Sequence, residues 1–317
     1  MIKIYKKNIA NKDYFYLTEQ INIGKKYKKI QVYIGKNIPN DLARFYSKLE
    51  KKEIVLMLDN INEKYSLNNK IQTHIYEKIE KTRIKFKYYF AQTSESKQEI
   101  LWRNFAIKFI FESNSMEGSK LSKKEVESIV NNQYIKKSLD KKEVIEVENS
   151  IKAFNMIRDK KFSLNQNNVK QLHKTIVNGL NIDFGYKKKQ IIVNNKNTVD
   201  PKKVRENMTS LFSWWQKESK TSITTNFDRN PFILAVKFHQ SFELIHPFSD
   251  GNGRVGRIIL VWMLIKNNYG PLLIKNQNRR KYFSALDKAD KNKPEKLYKY
   301  CADSYEKTFS DLIMNRI

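Results

Sequence analysis

The segment from His246 to Arg257 constrains the fold of this 317-residue chain more than any other part of the sequence. It reads His-Pro-Phe-Ser-Asp-Gly-Asn-Gly-Arg-Val-Gly-Arg, and the longest unbroken apolar run of the chain, Ile258–Ile265, follows it at once. Pro247 disfavours the helical region for the residue before it and lacks a backbone donor, so a helix arriving here ends at His246. Two glycines and an asparagine at 250–253 accept the unusual dihedrals of a tight turn. The sequence therefore predicts a helix, a tight turn and a second, buried helix.

The residue types of this segment suit phosphate chemistry. A glycine-rich turn that opens a helix presents free backbone N–H groups at the positive helix end, where phosphates bind. Arg254 and Arg257 are three residues apart and can clamp one polyphosphate from the same side. Asp250 is a hard oxygen ligand suited to hold Mg²⁺ between phosphates. His246 is the one group here whose unperturbed pKa would let it accept a proton near neutral pH. These groups together predict phosphoryl-type transfer, in which positioning and charge neutralisation do most of the catalysis.

A solvent-facing turn is the alternative interpretation of the same residues. Gly-Asn-Gly alone is common and would favour that alternative. Six defined positions within twelve residues, in a helical context with few strands, disfavour it.

The segment also resembles the signature of the Fic family, His-Pro-Phe-x-(Asp/Glu)-Gly-Asn-Gly-Arg-x-x-Arg, at every defined position. The resemblance extends over roughly residues 95–310 and includes the family's lead-in helix at 239–246. It implies a mainly α fold, a Fic helical bundle with a small β-hairpin flap. Residues 189–194 are similar to the flap, and 282–290 are similar to the helix that closes on adenosine.

The resemblance implies a protein adenylyltransferase that moves AMP from ATP, with Mg²⁺, to a Ser, Thr or Tyr hydroxyl of a target protein or of the chain itself. His246 would deprotonate the hydroxyl, which would attack the α-phosphate as pyrophosphate leaves. Asp250 would hold the metal, and the other phosphate contacts would come from Gly251, Asn252, Gly253, Arg254 and Arg257. The flap residues Ile191, Ile192, Val193 and Asn194 would pin the target by strand addition, and Tyr282, Phe283 and Asp290 would contact adenosine.

A second motif bears on regulation. Ser113-Asn-Ser-Met-Glu117-Gly118 fits the family's inhibitory pattern Ser/Thr-x-x-x-Glu-Gly/Asn. The resemblance implies that Glu117, on an N-terminal inhibitory helix, pairs with Arg257 and competes with the γ-phosphate of ATP. The same glutamate supports removal of AMP in some relatives, so a de-AMPylating hydrolase is the alternative activity.

Two positions refine the comparison with the family. Lys187 stands near where many relatives have an arginine before the flap, which leaves its contacts with a target open. Gly253 stands where relatives that transfer phosphate usually have a lysine, and it therefore favours AMP over phosphate. Relatives often dimerise, so a homodimer is also expected.

Changes in residue composition and in apolar spacing along the sequence suggest three regions. Residues 1–40 contain short β-branched and aromatic runs (2–5, 14–17 and 30–34) and predict a small antiparallel β segment. Residues 41–93 predict a helical connector, with Asp41 capping a helix through Glu50 and a further apolar stripe over 54–61. Residues 94–317 predict the Fic domain, with the inhibitory helix around 101–118.

The charge of the chain leaves one question open. There are 61 Lys and Arg against 33 Asp and Glu, a net charge of +28. Such a field attracts polyanions, and the basic turn at Lys25–Lys29 suggests a nucleic-acid-binding regulator as a further alternative. A general lysine bias, with the excess solvated along the chain, is favoured over that alternative.

The remaining features predict a cytoplasmic protein with no membrane association. The single cysteine, Cys301, excludes an internal disulfide and predicts a small buried residue. The chain begins without the apolar stretch of a signal peptide, and no apolar run approaches the ~20 residues of a membrane span. His74, His173 and His239 are interpreted as packing residues.

Overall fold

The computed structural model describes residues 2–23, 26–65, 70–133, 138–159, 161–193, 196–221 and 226–314. The strands are β1 (Lys3–Ile9), β2 (Lys12–Ile23), β3 (Lys26–Gly35), β4 (Ile192–Val193) and β5 (Lys196–Asn197). The helices are α1 (Ala43–Tyr65), α2 (Lys70–Ala91), α3 (Glu95–Met116), α4 (Lys123–Val130), α5 (Lys141–Arg158), α6 (Gln166–Ile176), α7 (Pro201–Lys220), α8 (Pro231–Ile245), α9 (Asn252–Lys266), α10 (Arg279–Asp290) and α11 (Glu295–Ile313), with a short 3₁₀ turn, η1 (Asn276–Asn278), before α10. The predicted fold class is confirmed: a mainly α bundle with a small hairpin, preceded by a small β segment.

The N-terminal strands form one antiparallel sheet in the order β1-β2-β3. The alternation of the strands places Leu17 opposite Val32, and both side chains are buried. The sheet packs on α1 through β2 and β3. Residues 24 and 25 lie outside the described residues, and the basic turn predicted over Lys25–Lys29 is wrong for its described part, because β3 already begins at Lys26 and pairs with β2 there.

Helix α1 differs from the sequence prediction. We predicted a helix ending at Glu50 and a separate stripe over 54–61, which is wrong: one helix runs through Ala43–Tyr65. Its buried residues recur every four positions, at Phe45, Leu49, Glu53, Met57 and Ile61. Glu53 interrupts the apolar pattern but is buried, where its carboxylate accepts hydrogen bonds from Lys87 and Tyr88. A charged residue inside the stripe therefore looked like a helix boundary in the sequence.

A buried polar cluster ties α2 to the helices that carry the site. Glu80 accepts hydrogen bonds from Asn230 Nδ2 and Tyr269 Oη, both at 2.8 Å, and from Arg83 Nε at 2.7 Å. Asn230 is also the N-cap of α8 and accepts the Phe232 N–H at 2.9 Å. The start of the helix that leads into His246 is thus fixed by a carboxylate from α2. The division of the chain near residue 93 remains a prediction.

Helices α8 and α9 pack against each other at the centre of the core. Gly256 makes this approach possible, because a Cβ there would collide with the Glu243 carboxylate and lie 3.1 Å from Phe242 Cδ1. Phe238, Phe242 and Ile259 are almost fully buried at this level of the bundle. The predicted helix–turn–helix is therefore held by close backbone packing.

Two elements are shorter than their sequence patterns predict. The apolar stripe at Val169, Leu172, Ile176 and Leu180 predicts a helix through Leu180, but α6 ends at Ile176, since the residues after it form a turn with Asn181 at φ 53°. The β-branched run at 189–193 predicts a strand, but the strand is limited to β4, Ile192–Val193. It is paired only with β5, and such a two-residue hairpin has too few partners to extend.

Among the described residues, none of the helices combines the length and apolar character that a membrane crossing requires. Cys301 is buried, as predicted. The interpretation of His74 as a core or boundary residue is wrong, because its side chain is exposed on α2.

The start of α4 offers a test of local stability. The Ser-x-x-Glu spacing of Ser122 and Glu125 predicts a capping box, and the structure has one: the Glu125 N–H donates to Ser122 Oγ at 3.3 Å, and the Ser122 N–H donates to Glu125 Oε2 at 2.8 Å. We expect Ser122→Ala to lower the free energy of unfolding by about 1 kcal/mol, measured by urea titration. Ser128→Ala, on the same helix but bonded only to the Lys124 carbonyl, is the control and should change it by less than about 0.5 kcal/mol. Equal losses in both variants would contradict the capping role.

Candidate active site

The loop between α8 and α9 is locked by side chains. His246 ends α8 in the left-handed region, at φ 50° and ψ 64°, a conformation that non-glycine residues seldom adopt. Asn252 braces the loop from the other end: its Oδ1 accepts the Phe248 N–H and its Nδ2 donates to the Phe248 carbonyl, both at 2.9 Å. Gly251 also lies at positive φ, 77°. The turn therefore has a single, braced shape with the histidine at its first residue.

His246 is held in its neutral form. Burial lowers its pKa to about 4, and the nearby Lys187 ammonium lowers it as well. A hydrogen bond to the Glu243 backbone and the charges of Glu117 and Asp250 oppose this shift without reversing it. The imidazole is therefore unprotonated near neutral pH, which is the state required of a general base.

Helix α9 begins beside His246 without a side-chain cap. The Gly251 N–H donates to Asp250 Oδ1 at 2.6 Å, while no cap side chain bonds the next amides. Free N–H groups at a helix N-terminus attract anions. The Glu117 carboxylate lies next to this helix end, since a Cβ on Gly253 would collide with Glu117 Oε1.

Arg257 is bonded to the last turn of α3 by three hydrogen bonds. Its Nη2 donates to Glu117 Oε1 at 2.7 Å and to the Ser113 carbonyl at 2.9 Å, and its Nε donates to Ser113 Oγ at 3.0 Å. The guanidinium is 3% exposed, whereas the Glu117 side chain is 33% exposed. The structure thus brings Arg257 to Ser113 and Glu117, which stand 144 and 140 positions before it in the sequence.

Arg254 has a different environment. It is 3% exposed, with Nη1 3.2 Å from Glu146 Oε1 and Nη2 3.6 Å from Asp250 Oδ2. Among the described residues, its buried Nε has no hydrogen-bond acceptor. A buried guanidinium with a free donor, next to an uncapped helix end, fits a phosphate oxygen.

Asp250 is the predicted metal ligand. Its side chain is 52% exposed, and Oδ2 lies only at the edge of ion-pair distance from Arg254. Within the described ranges, no three His, Cys, Asp or Glu side chains form a group that could hold a metal. One exposed carboxylate suits Mg²⁺, which usually keeps several waters and shares substrate phosphates instead of occupying an all-protein cage.

The flap is a short hairpin anchored to the catalytic loop by Lys187. Ile192 is 66% exposed, while Ile191 and Val193 are half-buried; Asn194 lies outside the described residues. The Lys187 N–H donates to the Pro247 carbonyl at 2.8 Å, and its Nζ donates to Thr198 Oγ1 at 2.5 Å. Burial lowers the pKa of this lysine to about 8.

The predicted adenosine contacts lie on α10 in three different environments. Tyr282 is buried, and its Oη is 2.6 Å from His239 Nε2. Phe283 is half-buried, with the Arg279 guanidinium 5.0 Å from its ring centroid. Asp290 is exposed and accepts from Gln240 Nε2 at 2.9 Å. Phe283 and Asp290 are open to a ligand, whereas Tyr282 supports the site from behind.

Several residues near the site were not predicted to belong to it. His173 was interpreted as a packing residue, and it is buried, but its ring also stacks on Phe248 at 3.8 Å and its Nε2 lies 3.1 Å from the Asp250 carbonyl oxygen. Glu243 is half-buried near Arg257, and the partial loss of solvent raises its pKa to about 7. Glu146 reaches Arg254 from α5. No local sequence signal distinguishes these residues from other polar positions on amphipathic helices.

Comparison with known proteins agrees with this geometry. The Fic/DOC family model matches residues 163–264. A probable protein adenylyltransferase of Aquifex aeolicus is 35% identical over 120 residues, which cover 38% of this chain and 35% of that protein. The protein adenylyltransferase Fic of Drosophila willistoni is 26% identical over 204 residues, which cover 63% of this chain and 40% of that protein.

A solved structure supports the same fold. The Fic domain containing signaling protein of Bacteroides thetaiotaomicron superposes with a TM-score of 0.65 at 20% identity, covering 77% of this chain and 95% of that one. This likeness concerns the fold alone. The chain spans less than half the length of the curated relatives it matches. Residues 163–264, which include the His246–Arg257 segment, thus match the Fic/DOC family.

Proposed function

We propose that the chain is a protein adenylyltransferase that transfers AMP from ATP to a hydroxyl of a target protein. The observation that carries this proposal is the neutral His246 at the mouth of the uncapped N-terminus of α9, with the buried Arg254 and Arg257 guanidiniums on the same helix. The curated relatives from Aquifex aeolicus and Drosophila willistoni carry the name protein adenylyltransferase, which supports the same activity.

The reaction follows from these positions. His246 accepts the proton of a Ser, Thr or Tyr hydroxyl, whose oxygen attacks the α-phosphorus of ATP. The bond from that phosphorus to the bridging oxygen breaks, and pyrophosphate leaves. The amides of Asn252 and Gly253 and the free donor of Arg254 stabilise the charge on the phosphates. Asp250 would hold Mg²⁺, which neutralises phosphate charge when bound.

The flap gives this chemistry a way to position its target. Strand β4 has β5 on one edge, and Ile192 is exposed. An extended segment of a target, or of a second copy of this chain, can add to such an edge by backbone hydrogen bonds, which read little of the target sequence. Thr198 and Lys187 fix the hairpin to the His246 loop, so the added segment would arrive at the base.

Glu117 is proposed to inhibit this transfer. ATP bound for transfer needs its γ-phosphate at Arg257, and Glu117 already occupies both that guanidinium and the start of α9. A carboxylate and a phosphate cannot share one guanidinium donor. The chain is therefore expected to be mostly inactive until α3 or Glu117 moves.

Hydrolysis of an AMP–protein bond is a second candidate. The charge of Glu117 acts on His246, and one third of the side chain is exposed next to the phosphate cradle. A carboxylate in that place can orient a water toward a phosphorus already bound there. Incubating an AMP-modified target with the chain, without pyrophosphate, and measuring released AMP tests this candidate; no release above a Glu117→Gln control would exclude it.

The proposed transfer is tested with ATP labelled at either end. Incubating Glu117→Gly with Mg²⁺ and ATP labelled at the α-phosphate should put label on the chain or on an added protein extract. ATP labelled at the γ-phosphate should leave protein unlabelled, because the γ-phosphate departs in pyrophosphate. Labelling from the γ-phosphate but not from the α-phosphate would indicate phosphate transfer, and labelling only from α-labelled UTP would indicate UMP transfer. Either result would overturn the proposal.

The acidity of His246 predicts a distinctive pH profile. Its lowered pKa, about 4, keeps the base neutral well below the ordinary value. We expect the transfer rate of Glu117→Gly to stay nearly level from about pH 7.5 to about 5.5, because an unperturbed histidine would already be half protonated near pH ~6.5. The Glu117 charge raises the pKa of His246, so removing Glu117 should lower that pKa further. Circular dichroism at each pH separates unfolding from titration. A half-maximal rate near pH 6.5 in folded protein would contradict the assignment.

A further inference from the structure

The outer face of the N-terminal sheet carries a row of tyrosines across all three strands. Tyr5 stands opposite Tyr16, and Tyr16 stands opposite Tyr33, so their side chains share one face. The ring centroids of Tyr16 and Tyr33 are 5.3 Å apart, and those of Tyr14 and Tyr33 are 6.3 Å apart. We call this surface, Tyr5, Tyr14, Tyr16 and Tyr33 with the lysines among them, the tyrosine face.

The tyrosine face is not needed for the core. The opposite face of the sheet buries Leu17, Val32 and Ile34 where it packs on α1. Tyr5 and Tyr33 remain 42% and 48% exposed. Tyrosine rings that stay partly exposed on one face of a sheet, instead of joining the core, indicate a surface for a partner.

The carboxylates of this sheet are confined to one of its two faces. Register places Lys3, Lys7, Lys12 and Lys29 on the tyrosine face, and Lys29 Nζ lies 4.2 Å from the Tyr5 ring centroid. The only carboxylates of the first 35 residues, Asp13 and Glu19, project from the other face. There Asp13 is 2.7 Å from Lys6 and Glu19 is 3.6 Å from Lys87. Every charged side chain that the three strands place on the tyrosine face is therefore a lysine.

We propose that the tyrosine face binds single-stranded RNA. Any of the four bases can stack on a tyrosine ring, and lysines beside the rings can form ion pairs with the phosphates. Gln20 and Gln31 are exposed on the same face, between the tyrosines and Lys29, and their amides can bond the ribose 2′-hydroxyl. A paired duplex keeps its bases stacked internally and cannot use the rings. The inference is independent of the proposed transfer reaction.

The shape of the face favours RNA over an anionic membrane. Side chains that enter a lipid interface protrude as bulky apolar groups. Here the rings of Tyr16 and Tyr33 pack together, and most neighbouring positions are amides and lysines, with Thr18 buried and, among the described residues, a single exposed apolar side chain, Ile9, on β1. Such a surface matches a strand of bases and phosphates better than a lipid headgroup layer.

Fluorescence anisotropy with a labelled RNA of about twelve uridines tests the proposal on the full chain near neutral pH and at about 100 mM salt. Tyr33→Leu should weaken binding by about fivefold or more without changing the net charge, and Tyr33→Phe should restore it because the ring remains. Neighbouring lysines provide the matched control. Lys7→Gln, on the tyrosine face, should weaken binding, whereas Lys6→Gln, on the opposite face, should not.

Three results would overturn the proposal. One is no binding, or equal losses for Lys6→Gln and Lys7→Gln, which would indicate only the general field of the chain. Another is tighter binding of the duplex, or of single-stranded DNA of matching sequence. The third is binding to vesicles containing phosphatidylserine that Tyr33→Leu abolishes while RNA binding is unchanged, which would assign the face to membranes. Thermal unfolding of Tyr33→Leu checks that the sheet is intact.

Discussion

Replacing Glu117 with glycine is expected to raise the rate of AMP transfer roughly tenfold or more. The change removes the carboxylate that accepts from Arg257 Nη2 at 2.7 Å and lies against Gly253. A hydrogen bond between charged groups contributes about 1.5–3 kcal/mol, and the partial exposure of Glu117 places this pair toward the lower end. Glycine is tolerated at this position because Glu117 is the C-cap of α3 rather than an interior residue. Initial rates of label incorporation from α-labelled ATP measure the effect.

Another glutamate on α3 supplies the matched control. Glu99 Oε1 also accepts from an arginine, Arg158 Nη2, at 2.7 Å, but that pair lies on an exposed surface between α3 and α5. Glu99→Gly removes the same charge and the same type of ion pair from the same helix. It should leave the transfer rate within about twofold of wild type, since exposed ion pairs contribute little. Activation by Glu99→Gly as strong as that by Glu117→Gly would mean that loosening α3 is enough, and would contradict a specific contact at Arg257.

Replacing His246 is the second change with a large expected effect. In the Glu117→Gly background, His246→Ala should lower the transfer rate by about 10²- to 10⁴-fold, the usual contribution of a general base. Nucleotide binding should change little, because in the proposed site α9 and its arginines would hold the phosphates. The comparison of rate with nucleotide affinity distinguishes loss of a base from loss of a binding site.

The backbone at this position requires a second variant. His246 has φ 50°, and alanine is strained there, whereas asparagine tolerates the left-handed region. His246→Asn should therefore keep the turn and still lose the activity. His74→Ala, at an exposed position on α2, is the control for removal of a histidine and should have no effect. Retention of more than about one tenth of the activity in His246→Asn would contradict the role of the base.

The sequence could predict those parts of the fold that depend on local backbone chemistry. Pro247 and the glycines at 250–253 predicted the end of α8 and the start of α9. The pairs Asp200-Pro201 and Asn230-Pro231, a capping residue followed by proline, are likewise typical of a helix start, and α7 and α8 begin there. Each of these signals acts within a few residues of itself. The capping box at Ser122 was predicted for the same reason.

Features that depend on distant partners could not be predicted in this way. The continuity of α1 depends on Lys87 and Tyr88, which satisfy Glu53 from α2. The bond between Tyr282 and His239 joins residues 43 positions apart, and it turns a predicted adenosine contact into a buried support. Such contacts appear in the sequence only as polar residues on otherwise apolar faces.

The same limit applies to the phosphate site. Asp250, Arg254 and Arg257 were recognisable because they lie in one short segment with His246. Glu146 and His173, which contact Arg254 and the Asp250 backbone from α5 and α6, were not. The roles proposed for the flap and for Phe283 and Asp290 still rest on the family resemblance and on their positions around the loop.

Competition between Glu117 and the γ-phosphate of ATP for Arg257 is tested most directly by comparing the affinities of the protein for ATP and for ADP. Both nucleotides are titrated calorimetrically with Mg²⁺ into His246→Asn, which prevents turnover, and into the same protein with Glu117→Gln added. With Glu117 present, we expect similar affinities for ATP and ADP, because the γ-phosphate has no free partner at Arg257. With Glu117→Gln, the preference for ATP should rise about tenfold. An ATP preference that is the same in both proteins would contradict the competition.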